Sequence, residues 1–569
     1  MRTGIALSLA ASSLIALVAA QDKYEITGVP HTDDGPVGVR RDIEDLQAEA
    51  GPQWDLYIRA LTALKSRDYD DQLSFFQIAG VHGLPFIEWG HAGGQRGNGW
   101  LGYCPHGEGL FLPWHRPYVL LYEQELVAAA KEIALEYPES VRDKYVQAAN
   151  DLRSPYWDWA KTSAVPPSTV PTQITINMPS DNGTTATSVD NPLRGFDYPA
   201  EARQGKLGRF PSSQRTTRCS SNGRSYPNSA NANLRSRNLK SNLYAVYTYA
   251  TTFSQFSRNA NRGLGLEQIH DWIHLDAPCG ESFFDIGTSG FDPLFMLHHT
   301  NVDRLWAYFQ YMKPAAANLD TRYYGQSRWD TPQGTIITSA SPLSPFFDGD
   351  DKFHTSDSVV SINGFGYTYD GLNYWNMTAD DLKTAATSKI NALYGNGNNG
   401  NNNNNNNPPA TNPWSGFPGF PNGFPNRKRG NNNNFQGKGT NTQYFASIQL
   451  ERAEVERPAS VDVYIAGQRA GGLVLMSHPA SGELKGGFTV ESPVATAFSM
   501  LGNNDRSLSL LEKFVTVKIT KPDGTVIPLQ TVPSLKIALE KVDVEMPKSA
   551  SELPKASNTE SIAIAAKSA

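Results

Sequence analysis

Cysteine is scarce in this chain of 569 residues: there are three, Cys104, Cys219 and Cys279. In an oxidising compartment an odd count leaves one thiol unpaired or otherwise committed. Cys104, two residues before His106, is the expected odd one, and Cys219 and Cys279 are left as a possible pair. An excess of basic charge is also missing. The formal net charge is -6 and the isoelectric point is near 6.0. No basic patch would neutralise a phosphate backbone, so a nucleic-acid partner is disfavoured and a small substrate is expected. Long apolar runs are absent after the first 20 residues; nothing there approaches the roughly 20 apolar residues of a membrane-crossing helix, so no membrane partner is expected.

Residues 1–20 have the pattern of a secretory signal. Arg2 supplies the positive start, GIALSLAASSLIALVAA the apolar run, and Val18-x-Ala20 a small-residue cleavage site. A secreted, extracellular protein is expected, and the sequons at Asn182 and Asn376 agree with that. The length and the 39% hydrophobic content allow a sizeable core and two or more domains.

Histidine is what the chain concentrates. Eight of the 11 histidines fall in two regions. His82, His91, His106 and His115 lie around GYCPHGEGLFLPWHRPY; His270 and His274 are in LEQIHDWIHLD, and His298 and His299 in FDPLFMLHHTNVDRLW. Neutral imidazole is a favoured ligand for copper, zinc and iron, so each cluster reads as a site for one metal ion.

Local patterning places the histidines. Helices are predicted over residues 42–50, 52–67 and 69–82, the last ended by Gly83 and Pro85, with His82 in its final turn. Residues 88–113 are glycine-rich and irregular. Pro117 suits the first turn of the long helix that follows, which puts His115 at its entrance. Residues 163–237 read as surface excursions with little decodable chemistry, and helical pattern resumes at 241–256 and 266–275. His270 and His274, four apart, share one helical face. HDWIH has the spacing of zinc peptidases but lacks their Glu after the first His, where Asp271 stands. His299 and Asp303 are also four apart, so Asp303 is expected to support a metal-bound histidine from behind.

Together these motifs, HGLP, CPH with a histidine nine residues on in WHRPY, HDWIH and FDPLFMLHHTNVDRLW, resemble the tyrosinase and catechol oxidase family. These are polyphenol oxidases with a type-3 binuclear copper centre, and the likeness is greatest to secreted fungal members. The resemblance implies a mainly α catalytic domain, a helix bundle around two copper ions, followed by a C-terminal β-sandwich domain. It implies His82, His106 and His115 on the first copper, and His270, His274 and His299 on the second. Phe295 would lie over the site, Leu275 would belong to the substrate pocket, and a thioether would join Cys104 to His106. His298 competes with His299, and the family pattern favours the second. His31, His91, His354 and His478 match no ligand position.

The implied activity is oxidation of o-diphenols to o-quinones with O2 as co-substrate, together with ortho-hydroxylation of monophenols. Alternatives are a diphenol-only catechol oxidase or a hemocyanin-like oxygen-binding protein. Glu267 matches a carboxylate that holds a water near the copper, and Asp271 stands where efficient monophenol hydroxylases often carry Asn. Tyr367 and Tyr369 resemble the family's Y-x-Y motif, whose expected partner is Arg40 or Arg41.

After the catalytic domain, residues 21–393, the composition changes. Residues 394–440 are rich in Asn, Gly and Pro and cannot bury a core, which makes them a linker; Arg427, Lys428 and Arg429 form a signal for a processing protease. Residues 441–546 alternate apolar and polar positions as a β-sandwich does. This domain is expected to shield the copper site with an aromatic plug such as Phe445, Tyr464, Phe488 or Phe498. It lacks the Cys-x-x-Cys that some relatives use in handling copper. Residues 547–569 read as an unstructured tail.

Overall fold

The computed structural model describes residues 23–32, 35–94, 97, 99–258, 263–395, 441–501 and 506–569. The expected signal segment and residues 396–440 of the expected linker, with the Arg427–Lys428–Arg429 cluster, lie outside them; Tyr394, expected in the linker, is instead the buried last residue of the helix Ala379–Tyr394 and donates to Asp158. Five helices frame the site: α1 (Pro52–Ser66), α2 (Phe75–Gly80), α3 (Phe111–Ala134), α4 (Leu266–Asp276) and α5 (Leu294–Met312). Helix α1 starts on Pro52, whose missing N–H is one that no first turn needs. Its apolar residues Trp54, Leu56, Tyr57, Leu61 and Leu64 are buried against α3.

Helix α2 is shorter than its pattern predicts. Ser74 accepts the Gln77 amide and starts the helix at Phe75, while Asp71 closes a turn before it. His82 therefore lies just past the helix end, not in its last turn. Helix α3 begins earlier than predicted. Pro113 falls among the first positions, where no N–H partner is required, so Pro117 is an interior residue and His115 follows the first turn. The predicted helix over 241–256 is broken in two, Leu239–Tyr249 and Phe253–Ser257, because Thr252 caps the second piece. Residues 163–237 hold more than surface loop: a hairpin of Gln173–Ser180 with Gly183–Asp190, a buried Arg218–Asp292 ion pair, and Cys219, which is disulfide-bonded to Cys279.

The C-terminal domain is a sandwich of two four-stranded antiparallel sheets. One runs Gln468–Leu475, Ala459–Ile465, Val515–Thr520, Val526–Ile527; the other runs Glu483–Thr489, Asn441–Glu451, Lys536–Glu545, Lys555–Ile564. The last strand corrects the expected unstructured tail. Residues 555–564 pair with Lys536–Glu545 as an edge strand whose side chains are exposed at most positions, so no apolar alternation announces it. Among the described residues no helix is long and apolar enough to cross a membrane.

The two ends of the helical domain meet at Asp303. Gly38–Val39 pairs in parallel with Tyr367–Thr368, and the Arg40 guanidinium lies 3.5 Å from the Tyr367 ring centroid. Arg40, and not Arg41, is thus the partner of the tyrosine pair. Asp303 accepts from Arg116 (2.6 Å), Arg40 (2.9 Å), Tyr369 (2.7 Å) and Tyr367 (2.8 Å), all buried. The expectation that Asp303 supports a histidine is corrected: its oxygens are committed to two arginines and two tyrosines. Burial alone would raise its pKa, but Arg116 and Arg40 hold the carboxyl below the usual range.

Candidate metal centre

His82, His106 and His115 form one near-equilateral group, with ring centroids 5.3, 5.5 and 5.7 Å apart. His270, His274 and His299 form the other, at 4.4, 4.9 and 5.6 Å. The groups abut: His115 stacks on His299 at 4.4 Å, and His106 on His270 at 5.9 Å. All six rings are buried. Burial holds each pKa well below the ordinary imidazole value, that of His270 at about 3, so the rings are neutral.

Hydrogen bonding then fixes the tautomers. Backbone carbonyls only accept, so Nδ1 of His82 donates to Ile286 O (3.2 Å), that of His115 to Phe111 O (2.7 Å), and that of His274 to Phe283 O (2.7 Å). His270 Nδ1 meets Asp271 Oδ1 at 3.0 Å. A neutral ring whose proton is on Nδ1 presents a bare lone pair at Nε2. The Nε2 atoms of His82 and His115 are buried without a hydrogen-bond partner among the described residues. Those of His270 and His274 converge on His299 Nε2 at 3.2 and 3.3 Å. Lone pairs facing one another in an apolar pocket repel unless a cation lies between them. Rings anchored from behind by carbonyls or a carboxylate are what metal-binding histidines need.

His298 lies in the same cluster, its ring one of four whose nitrogens come within 4.8 Å of one another, but its hydrogen bonding differs. The Trp159 indole N–H donates to His298 Nδ1 at 3.2 Å, so this ring carries its proton on Nε2 and offers no lone pair there.

The profile of the common central domain of tyrosinase matches residues 72–312. A tyrosinase from Podospora anserina is 34% identical over 395 residues, 65% of this chain and 69% of its own length. One from Neurospora crassa is 34% identical over 403 residues, covering 66% of this chain and 58% of its own. The chain belongs to the tyrosinase family. It is, with that family, a copper oxidoreductase acting on phenols. The fold agrees: recombinant mushroom tyrosinase superposes with a TM-score of 0.76 at 23% identity over 95% of this chain and 98% of its own. A pro-tyrosinase of Aspergillus oryzae superposes with a TM-score of 0.70 at 20% identity over 97% and 99%.

Around this tyrosinase centre, Phe295 stacks on His299 at 4.1 Å and meets the edge of His82 at 4.7 Å, so it spans both groups. Cys104 is buried, with Sγ 3.1 Å from His82 O and within 4.8 Å of ring nitrogens of His82 and His106. Burial raises its thiol pKa, which keeps the group protonated and a poor nucleophile. Glu267 is buried, not an exposed helix carboxylate, and its Oε1 accepts the Gly107 amide at 2.6 Å. Burial, then the neighbouring Asp271, raises its pKa. Leu275 is only half-buried and does not line either cavity beside His106.

The sandwich sits directly over α4. The Gln268 amide donates to Gly487 O (2.8 Å) and accepts the Gly487 N–H (3.2 Å), while the Trp272 indole donates to Gly472 O (2.8 Å). This close approach needs glycine: a Cβ on Gly486 would lie 2.2 Å from Gln268 Oε1. The expected aromatic plug is corrected. Phe445, Phe488 and Phe498 fill the sandwich's own core and its seam, Tyr464 lies half-buried on its strand, and none lines a cavity beside His106. Arg452, Met476, His478 and Pro479 lie there instead. His478, which matches no ligand position, packs its ring on Trp100 at 5.0 Å. Nothing in the local pattern of Gln268, Trp272, Arg452 or His478 signals these contacts.

Proposed function

We propose that the protein is a secreted, latent polyphenol oxidase that uses O2 to oxidise o-diphenols to o-quinones and hydroxylates monophenols ortho to the hydroxyl. The observation that carries the reading is the set of buried Nε2 lone pairs, anchored from behind and turned toward one another. His82, His106 and His115 would hold one copper ion, and His270, His274 and His299 the other. Six neutral nitrogens suit copper, and the pair would supply the two-electron exchange with O2. The protein's own residues do the rest. Phe295 walls the floor between the two groups, stacked on His299 and edge-on to His82. The Glu267–Asp271 pair, one turn apart on α4, is placed to take the phenolic proton. A thioether between Cys104 and His106 would form with loss of the thiol hydrogen and one ring hydrogen to an oxidant such as O2; an intact-mass difference of two hydrogens tests it.

Latency follows from the cover over α4. A folded domain joined to the site by the same chain stays at high effective concentration, so modest contacts keep the site shut until the linker is cut at Arg427–Lys428–Arg429. The family likeness to a pro-tyrosinase supports this. Asp271 favours a second reading in which monophenol hydroxylation is weak and diphenol oxidation dominates. Oxygen uptake with tyrosol and with 4-methylcatechol, before and after linker cleavage at equal copper content, tests both. No uptake with either phenol after cleavage would overturn the proposal, and equal rates before and after would remove the latency.

A further inference from the structure

A protein that oxidises phenols meets its own chemistry wherever one of its tyrosines stands in solvent. The chain has 24 tyrosines, all of them among the described residues, and Tyr324 is the one that is exposed, at 76%. The others are buried or half-buried, and several of the half-buried ones are tied: the hydroxyls of Tyr24, Tyr244 and Tyr311 donate to Glu125, Asn391 and Asn363 at 2.8, 2.8 and 2.7 Å. Tyr324 sits on a short hairpin, Tyr323–Tyr324 paired with Ile336–Ile337, in which the Gly325 amide donates to Thr335 O at 2.7 Å. Successive side chains of a strand point to opposite faces. Tyr323 turns toward the loop that carries His106: its hydroxyl accepts the Leu110 amide at 3.1 Å, and a Cβ on Gly109 would lie 2.9 Å from its ring. Tyr324 therefore points away from its own copper pocket, beside Ile336, which is also exposed. The chain that runs on from it, Gln326, Ser327 and Arg328, lines a cavity beside His106, and His478 and Pro479 of the sandwich line the same cavity. When the sandwich leaves, this stretch becomes an open rim.

We infer that Tyr324 is a modification site: the uncovered protein oxidises the Tyr324 phenol of another copy of the chain to a protein-bound o-quinone. The inference rests on the polyphenol oxidase reading with its monophenol step, and adds a protein substrate to it. The phenol gives up its hydroxyl hydrogen and one ortho hydrogen. One atom of O2 is bonded to that ortho carbon and the other leaves as water with the two hydrogens, so the ring supplies every electron that O2 takes up. The reaction runs between copies because the ring faces away from its own site. A rim that carries both pocket and phenol lets two uncovered copies serve each other across a two-fold axis. The hairpin holds the phenol on a fixed backbone, so little ordering is lost when the ring enters a neighbour's pocket.

The test uses the full-length copper-loaded protein cut in its linker, or the intact chain if that proves active. It is incubated in isotopically labelled O2 with ascorbate, which returns the quinone to a catechol, and its peptides are mapped by mass spectrometry. One labelled oxygen is expected on Tyr324, severalfold above any other tyrosine, and none in protein stripped of copper. Doubling the protein concentration should double the rate at which the labelled fraction grows, as a reaction between copies requires. Tyr324→Phe should lose this label and oxidise 4-methylcatechol as wild type does. Oxidation of free tyrosol by the same sample with no label on Tyr324, or label spread evenly over the buried tyrosines, would overturn the inference, and so would a labelling rate independent of concentration. Failure to oxidise tyrosol would instead overturn the monophenol step, and the inference with it.

Discussion

Glu267 Oε1 accepts the Gly107 amide at 2.6 Å, tying the helix that bears His270 and His274 to the loop that bears His106. One buried carboxylate thereby fixes the distance between the two histidine groups. Glu267→Gln keeps an acceptor at this position and should leave copper content and melting temperature close to wild type. Glu267→Ala leaves the Gly107 N–H buried and unpaired, which should cost about 1–3 kcal/mol and lower copper occupancy. Thermal unfolding and metal analysis of the two variants separate the outcomes.

His298 and His299 make a sharper pair. His299→Ala removes the ring on which two Nε2 atoms converge, and copper content should fall with activity. His298→Ala should keep two copper ions per chain and lose only stability, about 1–3 kcal/mol, because Trp159 loses its acceptor. A His298→Ala protein without copper would reverse the assignment.

Asp271 acts through His270, whose Nδ1–H it accepts at 3.0 Å. Asp271→Asn retains an oxygen there but removes the charge, so the monophenol rate should rise relative to the diphenol rate. Asp271→Leu removes the acceptor, and copper affinity should drop by about 10–100-fold, measured by chelator competition.

How legible this site was depends on how far each contact reaches along the chain. The histidine spacings, the helices that carry them and the sandwich after the linker follow from local pattern. The choice between His298 and His299 does not, because a tryptophan 139 residues away sets the tautomer. Arg40 and Arg41 are alike in sequence; the parallel pairing of Gly38–Val39 with Tyr367–Thr368 turns the first inward. The plug was misread because aromatic residues of a small sandwich are needed for its own core, which leaves polar and sulfur-bearing loop residues for the seam. Asp303 was misplaced because its position one turn from His299 is also the position that faces Arg116 and Arg40.

That network has a measurable acid limit. The carboxyl of Asp303 is held below its ordinary value by Arg116 and Arg40, so its stabilisation is present above the unfolded-state pKa of about 4 and is lost as pH falls through the lower native value. Asp303→Asn leaves the buried Arg116 guanidinium without a carboxylate, while Arg40 keeps Glu123, and should cost about 3–5 kcal/mol. The variant's melting temperature should vary less than that of wild type as pH falls below about 4, and a parallel pair of curves there would show that the charge of Asp303 contributes nothing.

The Arg40 contacts also set a limit on trimming from either side. Glu123 receives Arg40 through both oxygens, at 2.8 and 2.9 Å, and Asp303 takes the same guanidinium. A protease or a cloning boundary that removes residues ahead of Gly38 takes away little of this network. One that passes Arg40 leaves Glu123 with no arginine at its two oxygens deep in the helix bundle, and one that cuts before Tyr369 removes the rings on which the arginine lies. The shortest fragment able to fold is therefore bounded from within, by a cation near the start of the helical domain and a pair of phenols more than 300 residues later.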